Sequence, residues 1–467
     1  MSYKNERLEE FNNYLKNRKV AIIGLGVSNI PLLDYMNEKE ARVTVFDDRT
    51  IDKIPMEALE KIRKYEINSY FGEESLKNLK GFDIIFRSPS CMPNREELQE
   101  EVKRGAVLTS EIEMVLQMSP STIIGVTGSD GKTTTATLIY EIIKAKGYKC
   151  FLGGNIGTPL FTKIEEMMPK DIVVLEMSSF QLMGMEISPQ ISVITNISPN
   201  HLNIHKDYEE YIQAKKNIFK NQDNNGVIVL NYDNEITKEF ENEVNGKVRF
   251  FSSKEKLSDG IILDDEIIKE CKDKVRRHIL DTKNIKLRGT HNYENACAAI
   301  AATAGLVDVD TQIDVISNFG GVEHRLELVK EIDGVKWYND SIGTSPTRTM
   351  AGLHSFDEDI VLIAGGYDKH LDYKPLAKPI LEKVKTLILM GQTADKIFYA
   401  VKEEAEIQNK QIETYVCENL EDTVKMAHKV AKQGQIVLFS PASASFDLFK
   451  NFAERGKKFK ELVNRIF

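Results

Sequence analysis

The sequence predicts an α/β fold in three domains, on three observations. Short continuous apolar runs end in glycine at three separate places: Val20-Ala-Ile-Ile-Gly-Leu-Gly26, Ile123-Ile-Gly-Val-Thr-Gly-Ser-Asp-Gly131 and Ile360-Val-Leu-Ile-Ala-Gly-Gly366. Helical patterns such as residues 96–104 and 136–146 separate such runs, as buried parallel strands with crossover helices require. The chain has 467 residues, enough for two to four domains at about 100–200 residues each. Met-Ser-Pro-Ser-Thr interrupts a helix near residues 117–122, and Asn-Phe-Gly-Gly-Val follows an alanine-rich helix, residues 295–306, near residues 318–322. The expected domains are therefore 1–119, 120–320 and 321–467. No fixed-period repeat points to a solenoid.

Composition narrows the class of function. Apolar residues make up 42% and charged residues 28%, the proportions of a folded globular chain without low-complexity tracts. There are 62 Lys and Arg against 71 Asp and Glu, a net charge of −9, which argues against nucleic acid as a partner. Any phosphate must be met locally. The five cysteines, Cys91, Cys150, Cys271, Cys297 and Cys417, are odd in number and form no C-x-x-C pair, so reduced thiols and a cytoplasmic setting are expected. Residues 1–18 lack the apolar core of a signal peptide, and no apolar stretch reaches about 18 residues, so no membrane association is expected.

Taken in chain order, the first loop is Gly24-Leu-Gly26-Val-Ser-Asn29. It is close to the dinucleotide fingerprint G-x-G-x-x-G, with Asn29 in place of the third glycine. Asp47 ends the next strand, Val43-Thr-Val-Phe-Asp47, where a ribose-binding acid would stand. NAD, another nucleotide-linked ligand and a plain structural turn all fit this pattern.

The strongest signal is Thr127-Gly-Ser-Asp-Gly-Lys-Thr-Thr134, between an apolar strand and a helix. Glycines let backbone N–H groups turn towards an anion, the helix N-terminus adds positive potential, Lys132 can reach β- and γ-phosphate, and Thr133 can ligate Mg²⁺. This is a nucleoside-triphosphate loop. It departs from G-x-x-x-x-G-K-[ST], because Val126 stands where the first glycine belongs and Gly128 follows two places later.

Glu176 ends the run Val173-Val-Leu-Glu176, at the sheet edge where α/β proteins bind ligands, and could hold Mg²⁺ or be structural. The strand Ile191-Ser-Val-Ile-Thr-Asn-Ile-Ser198 delivers His201 to the same edge, with the same two readings. Residues 207–219 read as a helix with Asp207 and Glu210 in a capping-box arrangement. Lys215 falls in the middle of the apolar face made by Tyr211, Ile212, Ile218 and Phe219, while Lys216 lies near its edge. Lys215 either snorkels along that face or points into a site and is partnered or chemically altered there.

Together these residues resemble the Mur ligases of bacterial cell-wall synthesis, over nearly the whole chain. The pieces are Gly-Leu-Gly from Gly24, the phosphate loop, Gly153-Gly-Asn-Ile-Gly-Thr-Pro159, Glu176-Met-Ser-Ser-Phe-Gln-Leu182, Gly289-Thr-His-Asn-Tyr-Glu-Asn295, Glu323-His-Arg325, Asn339-Asp-Ser341 and Ser440-Pro-Ala-Ser-Ala-Ser-Phe-Asp447. The Ser-Ser-Phe-Gln-Leu segment, the Gly-Asn-Ile-Gly-Thr-Pro form and the last motif are similar to the D-glutamate-adding members.

The resemblance implies a Rossmann-like N-terminal domain for a UDP-sugar, a central P-loop ATPase-like domain and a Rossmann-like C-terminal domain that closes over the amino acid. It implies a monomer that uses ATP and Mg²⁺ to join D-glutamate to UDP-N-acetylmuramoyl-L-alanine through an acyl-phosphate. Gly128, Ser129, Asp130, Gly131, Lys132, Thr133 and Thr134 would take the triphosphate, with Asn292, Asn295, Arg325 and Asp340 completing the ATP contacts. Thr133, Glu176, His201 and a carbamylated Lys215 would organise the metal, and Lys132, His201 and Lys215 would be catalytic. Ser28, Asp47, Arg49 and Asn155 would meet the sugar nucleotide; Thr344, Lys369, Ser445 and Phe446 would grip D-glutamate.

Three residues depart from the family pattern: Asn200 stands for Asp, Ile342 for Lys, and Asn29 for Gly. Rival readings are a related ligase with another amino acid or a folate acceptor, a nucleotide-binding switch, and an NAD-dependent dehydrogenase. No Asp-Asn-Pro-Arg segment of the diaminopimelate- or lysine-adding type is present.

Overall fold

The computed structural model describes residues 3–201, 204–273, 275–287, 289–369 and 371–466. Among them, three sheets organise three α/β domains. The first sheet contains β1 (Lys19–Ile23), β2 (Arg42–Asp47), β3 (Asn68–Phe71), β4 (Ile84–Arg87) and β5 (Val107–Thr109), all parallel, in the order β3-β2-β1-β4-β5. That is the doubly wound order with its switch point between β1 and β4, where the loop after β1 opens.

The second sheet contains β6 (Thr122–Thr127), β7 (Cys150–Gly154), β8 (Ile172–Glu176), β9 (Ile191–Ile194), β10 (Val227–Asn231), β11 (Lys247–Ser252), β12 (Gly260–Asp264), β13 (Ile267–Lys272) and β14 (Val275–Asp281). Its order is β14-β13-β12-β11-β10-β9-β6-β8-β7, parallel from β7 to β12 and antiparallel across the last two pairs. β6 lies between β8 and β9, so the ends of these three strands open side by side. The third sheet contains β15 (Glu327–Ile332), β16 (Val335–Asn339), β17 (Ile360–Ala364), β18 (Val384–Leu389), β19 (Glu413–Val416) and β20 (Ile436–Phe439), in the order β15-β16-β20-β17-β18-β19. Only the β15–β16 pair is antiparallel.

The apolar runs are continuous because successive side chains enter cores on opposite faces. Ile124, Val126, Val174 and Val193 enter one cluster with Ala136, Ile139 and Ile143 of the helix Lys132–Ala145, while Ile123, Val173, Leu175 and Ile194 enter another. In the third sheet Leu362 and Leu438 pack on one side, Val361, Val437 and Phe439 on the other. The helix expected at residues 136–146 begins at Lys132, directly from the glycine loop, and that expected at residues 295–306 spans Thr290–Thr303.

The chain divides into two compact units, Met1–Phe319 and Gly320–Phe467. The first contains two sheets because one core runs through both. Phe161, in the 3-10 segment Phe161–Glu166, has its ring centroid 4.9 Å from Tyr35, 6.0 Å from Phe11 and 6.2 Å from Phe86. Glu111, buried, accepts hydrogen bonds from the N–H groups of Leu160 at 2.7 Å and Phe161 at 2.9 Å. No helix among the described residues is long and apolar enough to cross a membrane.

Candidate active site

The glycine loop after β6 is held open from the neighbouring β9 end. Gly128 has φ +150°, and any Cβ there would collide with Thr195 Oγ1. Asn196 O accepts from Ser129 N at 2.9 Å, and Asn196 Oδ1 accepts from Asp130 N at 2.9 Å. Thr195 Oγ1 donates to Asp130 O at 2.5 Å, while Ser129 Oγ lies 2.9 Å from Ser198 O and 2.8 Å from Tyr211 OH. Lys132 opens the helix and folds its Nζ back to Ser129 O at 2.8 Å. Thr133 is buried in the first turn with Thr134 beside it, and Asn295 Oδ1 accepts from Thr135 Oγ1 at 3.2 Å. Gly131 and Lys132 thus stand at a helix N-terminus whose orphan N–H groups and dipole favour an anion. Asn292 lies in the first turn of the helix Thr290–Thr303, which reaches this edge through Asn295.

Beside the loop, β8 ends in Glu176, 1% exposed. Its Oε1 accepts from Asn155 Nδ2 at 2.8 Å, and its Oε2 is buried with no hydrogen-bond partner among the described residues. A buried carboxylate oxygen left unpaired costs free energy unless a cation or donor completes it. Lys215 is 2% exposed, and its Nζ donates to Gly128 O at 2.8 Å and Thr127 Oγ1 at 3.2 Å. Burial, then the charge of Lys132, hold its amine well below the usual lysine range, against the opposing pull of Glu176 and Asp130. His201 follows β9 with φ +56° and lies edge-on to Phe180, ring centroids 5.2 Å apart. Burial, then Lys132, His205 and Lys215, lower its pKa, which favours the neutral ring. Asn200 Oδ1 accepts from His201 N at 2.9 Å, so the amide that replaces the family's acid shapes this turn.

These residues fit a magnesium ion in the company of a triphosphate. Mg²⁺ commonly takes one or two protein oxygens and fills the rest with water and phosphate, and Glu176 Oε2 is such an oxygen. No group of three or more His, Cys, Asp or Glu among the described residues forms an all-protein metal cage.

The first sheet presents a second opening at its switch point. Asp47 is 2% exposed, and its carboxylate faces inward, accepting from Leu25 N at 2.7 Å, Arg49 N at 3.0 Å and Arg49 Nε at 2.8 Å. Burial pushes this carboxyl up, but the bonds from Arg49 and Leu25 outweigh it and leave the pKa below the ordinary value. Arg49 Nη2 also donates to Leu25 O at 3.2 Å. Asn29 is buried and donates through Nδ2 to Ile23 O and Gly24 O, both at 3.0 Å. It ties the loop where the fingerprint has glycine. Ser28 is half-buried beside it.

In the second unit the carboxyl ends of β16, β17 and β20 carry the remaining candidates except Arg325, which precedes β15. Asp340, buried, accepts from Ser440 Oγ at 2.6 Å and from Leu326 N at 3.3 Å. Burial raises its carboxyl to about 6, although Ser440, Leu326 and the charge of Arg325 pull it down. Lys369 Nζ lies 5.4 Å from the ring centroid of the exposed Phe446. Ser445 is buried, and its carbonyl accepts from Leu448 N at 3.2 Å and Phe449 N at 2.8 Å. Thr344 follows in the loop after β16, its N–H on Ile342 O at 2.8 Å, and Ile342 N donates to His324 O at 3.2 Å.

The structure therefore gathers Lys132, Thr133, Asn155, Glu176, His201, Lys215 and Asn295 at one edge of the second sheet. Ser28, Asp47 and Arg49 lie together on the first. Sequence reasoning missed His205. Its buried ring stacks on Phe180, with centroids 5.0 Å apart, and its Nε2 lies 2.9 Å from Ser179 Oγ and its Nδ1 3.3 Å from Glu210 Oε2. Glu210 thus serves His205 and Lys206 N rather than closing the expected capping box, although Asp207 does cap the helix. Tyr211, read as a core residue, also supports the loop through Ser129. Its position on the same helix face as Lys215 was the available signal.

Family models match three stretches of the chain: the Mur ligase MurD-like N-terminal domain over residues 18–110, the Mur ligase middle domain over residues 126–303, and the Mur ligase glutamate ligase domain over residues 324–443. A protein of Acetivibrio thermocellus named UDP-N-acetylmuramoylalanine–D-glutamate ligase is 49% identical over 465 residues, 99% of each chain. One of the same name from Clostridium acetobutylicum is 47% identical over 98% of each. Among solved structures, MurF from Acinetobacter baumannii aligns with a TM-score of 0.57 at 15% identity, covering 98% of this chain and 99% of that one. UDP-N-acetylmuramate-alanine ligase MurC from Thermotoga maritima aligns with a TM-score of 0.55 at 19% identity, covering 97% and 100%.

Proposed function

The chain belongs to the Mur ligase family, and from that premise we propose that it joins D-glutamate to UDP-N-acetylmuramoyl-L-alanine with cleavage of ATP. The carrying observation is the convergence, at one sheet edge, of an anion-binding loop, a buried carboxylate with an unpaired oxygen, and a buried lysine amine. The relatives' name supplies the substrate pair. Their coverage of nearly the whole chain favours that pair over a folate acceptor or another amino acid.

A carboxylate does not form an amide unaided, because its leaving group would be oxide. In the proposed reaction the acceptor's carboxylate oxygen attacks the γ-phosphorus, the bond to the β-phosphate oxygen breaks, and ADP leaves. The amine of D-glutamate then attacks the acyl carbon and inorganic phosphate departs. Lys132 and the loop N–H groups hold charge on the transferring phosphoryl group, which is most of what phosphoryl transfer asks of a protein. Thr133 and Glu176 would hold magnesium, which would neutralise phosphate charge. His201, favoured as the neutral ring, would accept a proton or complete that coordination. Lys215 is read as the carbamylated residue. Its lowered pKa supports this, since only the neutral amine adds to carbon dioxide, forming the N–C bond and releasing one proton as the neutral group becomes an anion. Asn155, Ser28, Asp47 and Arg49 would serve the sugar nucleotide, Asn292, Asn295, Arg325 and Asp340 the ATP, and Thr344, Lys369, Ser445 and Phe446 the D-glutamate.

The test is ADP release from ATP and Mg²⁺ with the sugar nucleotide and a panel of amino acids. Turnover with D-glutamate alone is expected, and Lys132→Ala should abolish it. No ADP with that pair, or undiminished turnover in Lys132→Ala, overturns the reading.

A further inference from the structure

Arg87 ends β4, in register with Ile23 of β1. The next residue, Ser88, donates its N–H to Ile23 O at 2.9 Å, and its side chain touches the space where a Cβ on Gly24 would go. Arg87 is thus anchored beside the loop 24–29. Its guanidinium, on a residue only 5% exposed, reaches the other way. Nη2 donates to Met183 O at 2.6 Å, and Nη1 to Phe180 O at 3.2 Å and Cys91 O at 3.4 Å.

Phe180 and Met183 belong to the short helix Ser179–Leu182 and its C-cap, in the segment that follows Glu176. The same end is held by Asn217, whose Nδ2 donates to Leu182 O at 2.9 Å and which caps the helix Tyr208–Lys216 carrying Lys215. A guanidinium from the first sheet and an amide from the Lys215 helix therefore share the terminal carbonyls of one helical turn. Those carbonyls carry partial negative charge, so they compensate a buried cation, and the two-pronged guanidinium fixes direction as well as distance.

We propose that Arg87 is a positioning residue for the acceptor: it sets the separation between the loop 24–29, which takes the nucleotide end, and the Glu176 edge, where the far carboxylate is phosphorylated. This rests on the ligase reading above. A substrate held at one end reacts at the other only when the spacing matches, and a misplacement of about 1 Å can cost on the order of a hundredfold in rate. Arg87 touches neither reacting atom; it acts through the elements it joins.

The experiment uses the full chain with Arg87→Lys, which keeps the charge and loses the fork, and Arg87→Met, which loses both. ADP release gives kcat and KM for the sugar nucleotide; calorimetry gives separate affinities for the sugar nucleotide and for ATP. We expect kcat to fall about ten- to a hundredfold, more in the Met variant, with both affinities within about twofold of the parent. Parent-like kcat in both variants overturns the proposal. So does a loss of either affinity parallel to the loss of kcat, which is what simple loosening of the fold would produce. Should Arg87→Met fail to fold, the Lys variant decides. A parent that releases no ADP overturns the ligase reading, an outcome distinct from a competent parent whose variants keep their turnover.

Discussion

Lys215 shows what a single residue reveals before and after folding. Its phase on the helix put it on the apolar face but left open whether it snorkels to water or enters a site; the partners Gly128 O and Thr127 Oγ1 that settle its burial come from residues far away in sequence and had no local signal. Lys215→Ala should be inactive in ADP release and partly restored by a small carboxylate such as formate, whose anion would replace the proposed carbamate. Full unaided activity would remove that role. Asp340 carries a second prediction. Burial raises its carboxyl from 3.8 to about 6, so the folded chain holds this proton more tightly than the unfolded one. The resulting stabilisation is complete below about pH 4, is lost as pH rises through about 6, and amounts to roughly 3 kcal/mol. Asp340→Asn should therefore lose less stability than the parent between pH 4 and pH 7 in denaturant titrations, by up to about that amount. Identical pH profiles would show that the buried carboxyl is not shifted.

Among the elements, the parallel strands β1, β6 and β17 were legible because both their faces are buried, which makes their sequences continuously apolar and ends them abruptly in glycine, whereas the parallel but more exposed β3 and β19 carried no such signal. The hairpin β13–β14 was not: most of β14 is exposed and reads Val-Arg-Arg-His, so its pairing comes from its neighbours rather than from periodicity. The phosphate loop was legible as a loop, but its supports on Thr195, Asn196 and Tyr211 were not, because each is an ordinary residue given its role by the packing of β9 and the Lys215 helix. Gly128→Ala tests that support. The new methyl meets Thr195 Oγ1 and lies 3.2 Å from the Asn196 backbone nitrogen, at a φ that L residues rarely adopt. The substitution should destabilise the chain by at least about 1–3 kcal/mol, the cost of strained backbone, with the displacement of the buried Thr195 added to it. Calorimetry should also find ATP binding weakened about tenfold or more, since the N–H groups that define the cradle must shift. Unchanged ATP affinity would mean that the loop does not depend on this wall.

At the scale of the molecule, the two sheets on either side of residues 117–122 share one compact unit. The reason is local and could not be read from periodicity: Phe161 lies in an irregular segment of the second sheet's domain and packs with Phe11, Tyr35 and Phe86 of the first. Phe161→Ala should cost about 3–5 kcal/mol, the usual price of an aromatic cavity. The melt should stay cooperative for the rest of the chain. The unit Gly320–Phe467, by contrast, has its own two cores, one on each face of its sheet. A fragment ending at Phe319 keeps its cores, the phosphate loop, Glu176, Lys215, Asn292 and Asn295, and loses Arg325, Asp340 and the residues proposed for D-glutamate. It should melt as a folded protein and bind ATP in calorimetry, yet release no ADP with the full set of substrates. Turnover by that fragment would mean that the amino acid is captured without Thr344, Lys369, Ser445 or Phe446, and failure to fold would mean that its cores are not sufficient by themselves.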